Sequence, residues 1–103
     1  MAYPSEKLLN LWVEVRASEF PDDCLGRSVD GVDLMSLQTY ACGCVSMYVG
    51  NACSLDGRRA RMLKTTAEQI RLVVPQLTGE ARVYFEKLRS LTQQVLVEMF
   101  RQQ

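Results

Sequence analysis

Cysteine is the residue of this chain with the most versatile chemistry, and two of its four cysteines, Cys42 and Cys44, are separated by a single glycine. A Cys-x-Cys pair in a loop can hold a soft metal ion such as Zn²⁺ or Cu⁺. The surrounding pattern instead predicts a helix, on which residues two apart point about 200° apart, so both sulfur atoms cannot reach one ion. Cys24 precedes that helix and Cys53 follows it. We therefore predict four structural cysteines, with no metal and no other cofactor.

Histidine is absent from the 103 residues, which removes the commonest general base and metal ligand. Nucleophile pairs of the Ser-His or Cys-His kind are thus impossible within the chain. Asp30 and Asp33 would lie one turn apart at the start of a helix, where acidic residues ordinarily cap the helix and complement its dipole. The sequence has no glycine-rich phosphate loop and no calcium-loop spacing. We predict that the protein is not an enzyme.

Charge is zero overall but is separated along the chain, in which twelve Lys and Arg balance twelve Asp and Glu. Residues 1–56 carry eight acidic and three basic side chains, whereas residues 57–103 carry four acidic and nine basic ones, so the halves have net charges of −5 and +5. A neutral chain has no global field that would attract nucleic acid or an anionic membrane. The opposite signs favour contact between the halves, within one chain or across a dimer.

Every apolar period in the chain is close to 3.6 residues, which predicts helices throughout. The first helix is expected to start with Ser5 as its cap and to end before Pro21, with a loop over residues 21–27. The N-terminal residues lack the basic start and apolar stretch of a secretory signal, so a cytosolic location is expected. The apolar side chains of this helix share one broad arc: Leu8, Leu9, Leu11, Trp12, Val13 and Val15.

The second helix is predicted to begin at a cap formed by Ser28 or Asp30, to run to about Val49 and to stop at a left-handed Gly50-Asn51 pair. Residues 34–55 hold no formal charge and would be long enough to cross a bilayer. Several polar residues within this segment make insertion costly, and no basic cluster flanks it on one side. We predict that the protein does not span a membrane.

The third and fourth helices are predicted from longer apolar stripes. The third begins after Ser54 or Asp56 and ends or kinks near Val74, because Pro75 lacks a backbone donor and clashes with the preceding turn. A corner at Gly79 starts the fourth helix. Its apolar stripe covers about five turns. The stripe consists of Ala81, Tyr84, Phe85, Leu88, Leu91, Val95, Leu96 and Met99.

Four amphipathic helices joined by short loops bury their stripes best as an antiparallel four-helix bundle. We predict an all-α fold of one helical domain over residues 1–103, with simple up-and-down order. The connection between the first two helices is the longest, so any departure from simple order is expected there. Dimerisation could complete or extend the bundle, for example through a pair of helical hairpins.

The second helix carries a row of small residues nearly opposite its apolar arc. Such a row lets another helix approach closely and predicts that this helix is shielded on both sides, by helices of the same chain or by a partner chain. A row that merely faces water is the alternative. Three apolar residues of the fourth helix could widen its buried face toward a second chain. The predicted interface residues are Ser36, Thr39, Gly43, Ser46, Gly50, Val83, Val97 and Phe100.

The third helix carries basic residues on the side opposite its apolar stripe, namely Arg58, Arg61, Lys64 and Arg71, with Glu68 interrupting them. A helix with such a face can lie along nucleic-acid phosphates. No aromatic residues alternate with the basic ones, however, and a solvated face or a contact with the acidic half is also consistent with the pattern.

The leading functional prediction is a non-enzymatic, cytosolic protein-interaction module that associates with itself as a homodimer. The alternative is a small nucleic-acid-binding regulator that uses the basic face of the third helix. A third hypothesis is a ligand-binding bundle or a small enzyme with Tyr, Cys or carboxylate groups around a pocket between helices. Association state discriminates the first from the others, and salt-dependent nucleic-acid binding identifies the second.

Overall fold

Side-chain caps fix the starts of three of the four α-helices. In the computed structural model, which describes residues 3–101, Ser5 Oγ accepts a hydrogen bond from the Leu8 N–H at 3.0 Å. Asp33 and Asp56 accept equivalent bonds from backbone N–H groups three residues further on. These caps satisfy donors that a helix start otherwise leaves free. The helices are α1 (Glu6–Ala17), α2 (Leu34–Gly50), α3 (Gly57–Val73) and α4 (Gly79–Arg101).

A β-hairpin occupies the region where the second helix was expected to begin. Strands β1 (Ser28–Val29) and β2 (Val32–Asp33) pair antiparallel, with Val29 opposite Val32. The turn residues Asp30 and Gly31 have φ of 51° and 77°, and an Asp-Gly pair with positive φ is strongly preferred in two-residue hairpin loops. The prediction that Ser28 or Asp30 caps this helix is therefore wrong, and the hairpin is a short departure from the predicted all-helical pattern.

The two aspartates of this region consequently have separate roles. Asp33 caps α2, as an acidic residue at a helix start is expected to do, whereas Asp30 lies in the hairpin turn and accepts a hydrogen bond from Gln76 Nε2 at 2.7 Å. Their placement one turn apart on a single helix is wrong, because the hairpin turn lies between them. The Asp30 contact links the hairpin to the short 3₁₀ segment Val74–Gln76.

The left-handed residues after α2 lie two positions later than predicted. Gly50 is still helical, and Asn51 has φ of −117°. The left-handed residues are Ala52 and Cys53, with φ of 53° and 60°. The Cys53 N–H donates to the Tyr48 carbonyl at 2.9 Å, which satisfies one of the free carbonyls at the helix end.

The stop near Pro75 is confirmed, because α3 ends at Val73 and Pro75 lies in the 3₁₀ segment that follows. Gly79, with φ of 61°, then forms the corner before α4. A second 3₁₀ segment, Asp22–Cys24, lies in the connection between α1 and α2, which was predicted as a loop.

The predicted all-α four-helix bundle is confirmed, with the small hairpin as its one addition among residues 3–101. Helix α4 packs against each of the other three helices. Contacts of Ser5, before α1, with Glu98 near the end of α4, and of Ser18, after α1, with Lys87 nearer its start, make this pair antiparallel. Helix α1 packs mainly on α4.

The core is built around the apolar stripe of α4. Six of its eight predicted members are buried, and Leu96 and Met99 are partly buried. Phe20, from the first connection, packs edge-on against Tyr84 and Phe85 at ring-centroid distances of 5.5 and 6.2 Å. Such edge-to-face pairs are favourable beyond the area they bury. The long connection is thereby fixed to the start of α4.

A buried carboxylate joins the start of α1 to the end of α4. Glu98, 9% exposed, accepts hydrogen bonds from the Ser5 N–H at 3.0 Å, from the Ser5 hydroxyl and from Gln94 Nε2 at 2.8 Å. Burial opposes ionisation of this carboxyl, but the hydrogen bonds outweigh burial and lower the pKa of Glu98 below its ordinary value of 4.5. Ser5 thus caps α1 and holds α1 against α4 at the same time.

Replacing Glu98 by Gln is expected to reduce the free energy of unfolding at pH 7 by about 1–3 kcal/mol, because hydrogen bonds to a buried charge are lost. A carboxyl with a lowered pKa in the folded state stabilises the fold above its unfolded pKa, and this contribution is lost as pH falls through the folded pKa. Denaturant titrations from pH 7 to pH 3 should therefore show a smaller acid loss for Glu98→Gln than for the wild type. Glu86→Gln is the control, and equal pH dependence in all three proteins would contradict the assignment.

Candidate functional site

The outer face of α2 is centred on Gly43, which points away from the core between its two neighbours. Cys44 Sγ lies 3.8 Å from the Arg59 carbonyl on α3. On the opposite flank, Cys42 Sγ accepts a hydrogen bond from Gln38 Nε2 at 3.6 Å, and Gln38 also hydrogen-bonds Tyr84 of α4. The two thiols of the Cys-x-Cys pair therefore point to opposite flanks of the helix. Helix α2 has neighbours on both flanks and leaves its Gly43 side to solvent.

The small residues predicted to pack closely lie on this outward side. Ser36 is partly buried, whereas Thr39, Gly43, Ser46 and Gly50 are exposed. A methyl group added at Gly43 or Gly50 would meet no neighbouring atom within 4 Å. The expectation that α2 is shielded on both sides is wrong for the single chain, because α3 and α4 cover only its apolar arc. The row remains a predicted contact surface for another chain.

A groove runs beside this row, between α2 and α3, and is lined by apolar side chains together with the charged Asp56, Arg58 and Arg59. Its largest apolar side chains are Tyr40, Met47 and Met62, which are 49%, 43% and 36% exposed. The groove encloses about 790 Å³ and includes Gly43 in its wall. Sequence reasoning missed these three residues as surface features. For α2 the helical wheel could have identified them, because Tyr40 and Met47 lie within about 60° of Gly43 and therefore on the same outward side.

The structure divides the predicted basic set of α3. Arg58 lines the groove, Arg61 borders the depression beside it, and Lys64 lies further along α3, on the side facing α4. Arg58, Arg61 and Lys64 are exposed and form no ion pair with any residue from 3 to 101. Arg71 instead donates two hydrogen bonds to the Glu68 carboxylate, at 2.6 and 3.1 Å. The hydrogen bonds from Arg71 lower the pKa of Glu68. We call Arg58, Arg61 and Lys64 the basic rim.

The three predicted contact residues of α4 do not form one patch. Val83, Val97 and Phe100 are 55%, 38% and 78% exposed. Val83 lies near the start of the helix and Val97 fourteen residues later, which corresponds to about 21 Å along the axis. Val97 and Phe100 are neighbours one turn apart. None of the three lines the groove beside α2.

The connection between α1 and α2 presents a surface of opposite charge. Glu19, Asp22 and Asp23 are exposed, and none of them forms an ion pair with a residue from 3 to 101. Leu25, in the same segment, is 57% exposed. We call residues 19–25 the acidic connection. It lies beside the start of α4, because Phe20 contacts Tyr84 there.

The thiols have the environment of structural cysteines. All four are free; Cys24, Cys44 and Cys53 are buried and Cys42 is partly buried. Burial raises the pKa of each thiol above its ordinary value of 9.0. A raised pKa reduces the thiolate fraction at neutral pH and with it the nucleophilicity. Within residues 3–101, no three His, Cys, Asp or Glu side chains are grouped so that they could hold a metal ion.

Comparisons with protein-family models, with curated proteins and with solved structures found no match for this chain. None of the helices within residues 3–101 combines the length and apolar character that crossing a membrane requires. The site is therefore interpreted from its own residues.

Thiol labelling provides a direct test of these environments. With a chromogenic disulfide reagent at pH 7.5, one thiol per chain should react before the others, because only Cys42 is partly exposed. Cys42→Ser should remove this first phase and leave the slower reactions, which require opening of the fold. Two or more rapidly reacting thiols in the Cys42→Ser variant would contradict the described burial.

Proposed function

We propose that this protein is a non-enzymatic, cytosolic protein-interaction module that contacts its partner through the outer face of α2 and the adjoining groove. The observation that carries the proposal is an exposed helix face without a single charge over seventeen residues, on which Tyr40 and Met47 remain about half exposed. Such a face can be buried against another protein without removing an ion from water. Tyr and Met are also enriched in protein interfaces.

The chemistry of the chain supports a binding role over a catalytic one. It contains no histidine, and burial raises the pKa of its four thiols. Free thiols in buried positions also suit a reducing compartment, where cysteines are not oxidised to disulfides. These observations support the proposed cytosolic location.

The partner in this proposal is a second copy of the chain. The small residues of α2 recur at alternating spacings of three and four, which is the heptad pattern by which two helices pack side by side. Small side chains allow the two backbones to approach closely, and the exposed Tyr40 and Met47 then pack along the edges of the contact. The homodimer covers the face that α3 and α4 leave open.

Gly43→Cys tests contact between two α2 faces. Under mild oxidation this variant should form a disulfide-linked dimer, because Gly43 lies at the centre of the face and space is open beside it. The wild type and Asn10→Cys, on the exposed side of α1, are the controls. In parallel, light scattering of the wild type over a range of concentrations should approach twice the 11.7 kDa chain mass. A constant monomer mass, with no preferential cross-linking at position 43, would contradict self-association.

A second candidate function is supported by the unpaired basic rim. Arg58, Arg61 and Lys64 follow one another at intervals of three residues on an exposed side of α3, where they can contact successive phosphates of a nucleic acid. Arg71, also predicted for this role, is less suited to it because it is paired with Glu68.

This second function predicts binding to double-stranded DNA or RNA at low salt. The triple variant Arg58→Ala, Arg61→Ala, Lys64→Ala should then weaken binding and reduce the slope of log affinity against log salt by about 3. Arg71→Ala, the matched control, should change the slope less because its charge is already compensated. Fluorescence anisotropy with a labelled duplex measures both, and an absence of wild-type binding at low salt rejects the function.

A further inference from the structure

We propose that the two copies pair with their α2 helices parallel, so that the acidic connection of each copy lies against the basic rim of the other. This inference rests on the proposed function, because it specifies the orientation and the charged contacts of self-association at the same face. In this arrangement the open groove binds a second copy of this chain.

The two charged surfaces lie on either side of α2. On the flank that carries Cys44, this thiol contacts the Arg59 carbonyl of α3, next to Arg58 of the basic rim. On the flank that carries Cys42, its hydrogen-bond partner Gln38 also hydrogen-bonds Tyr84, which contacts Phe20 of the acidic connection. The acidic connection and the basic rim therefore lie on opposite flanks of the outward face.

Most charges of the two halves form no ion pair with the opposite half among residues 3–101. The halves carry −5 and +5, yet apart from the local Asp56–Arg59 pair only Glu14–Lys87, at 3.7 Å, joins them among residues 3–101. The acidic connection and the basic rim contribute three exposed charges each and form no ion pair within that range. A second copy supplies the complementary surface to both.

Twofold symmetry brings the oppositely charged surfaces of two copies together. A twofold axis parallel to α2 exchanges the flanks of the face, so the acidic connection of each copy meets the basic rim of the other in two equivalent contacts. The acidic connection and the basic rim lie at similar heights along the axis of α2. On one flank Gln38 contacts Tyr84, and on the other Tyr40, two residues later, shares a groove with Arg58 and Arg61. Antiparallel helices would instead place acid against acid and base against base, which is unfavourable.

The apolar part of the surface agrees with this orientation. In a parallel pair with alternating three and four spacing, each small residue faces its own equivalent, so Gly43 meets Gly43 and Gly50 meets Gly50. In the parallel pair the exposed Leu25 of the acidic connection lies near the groove of the other copy, where Met62 offers an apolar surface.

Charge reversal in two separate variants tests the proposal. The acid-reversed variant carries Asp22→Lys and Asp23→Lys, and the base-reversed variant carries Arg58→Glu and Arg61→Glu. Each alone places like charges in both contacts and should raise the dimer dissociation constant about tenfold or more at low salt. When the two are mixed, both contacts become complementary again and a heterodimer should form with near wild-type affinity. Arg89→Glu, an exposed reversal on α4, should leave the dimer unchanged.

Mass photometry or sedimentation of the mixed variants measures this rescue, which also shows that each variant is folded. Gly50→Cys adds an independent readout, because it should cross-link to itself only when the helices are parallel. A dimer that cross-links through Gly43→Cys but not Gly50→Cys, and that shows no rescue in the mixture, would overturn this orientation while leaving self-association in place. A wild type that remains monomeric, with no cross-link at position 43, would overturn both.

Discussion

Burial of the apolar stripe of α4 is the constraint on which the rest of the structure depends. This helix of 23 residues is the longest element, and the other three pack on it, so its eight-residue stripe forms the centre of the core. Burial of large apolar side chains is the dominant favourable contribution to folding. The short connections and the Glu98–Ser5 contact then determine where each neighbouring helix can lie.

The exposed face of α2 follows from this arrangement. A chain of 103 residues forms a bundle only 18 Å thick along its shortest dimension, and α2 is therefore covered by α3 and α4 on one side alone. Its composition remains that of a buried helix, because none of its seventeen residues is charged. An uncharged face on a surface whose neighbours carry unpaired charges of opposite sign is the physical basis for proposing self-association.

Residues from the two predicted surfaces lie close together. Thr39 and Gly43 of α2 and Arg58 of α3 line one groove, and Arg61 borders the depression beside it, although the sequence pattern suggested two separate surfaces. Tyr40, Met47 and Met62 were missed because periodicity does not distinguish an apolar residue at the edge of a core from one inside it. Val83 was grouped with Val97 from side-chain type alone, and the length of α4 separates them.

The sequence by itself determined the four helices, the cap residue Ser5 and the stop before Pro75, because each depends on residues within one or two helical turns. It also determined the separation of charge between the halves and left the cap of α3 open between Ser54 and Asp56. It also contained the Asp30-Gly31 turn signal, which the apolar pattern around it obscured. Only the tertiary structure decided which side of α2 is covered and that α1 packs on α4. It also decided that Arg71 pairs with Glu68, whereas Arg58 forms no ion pair with any residue in the described part of the chain. These outcomes depend on the relative positions of whole helices and on competition among side chains for partners, which local spacing does not specify.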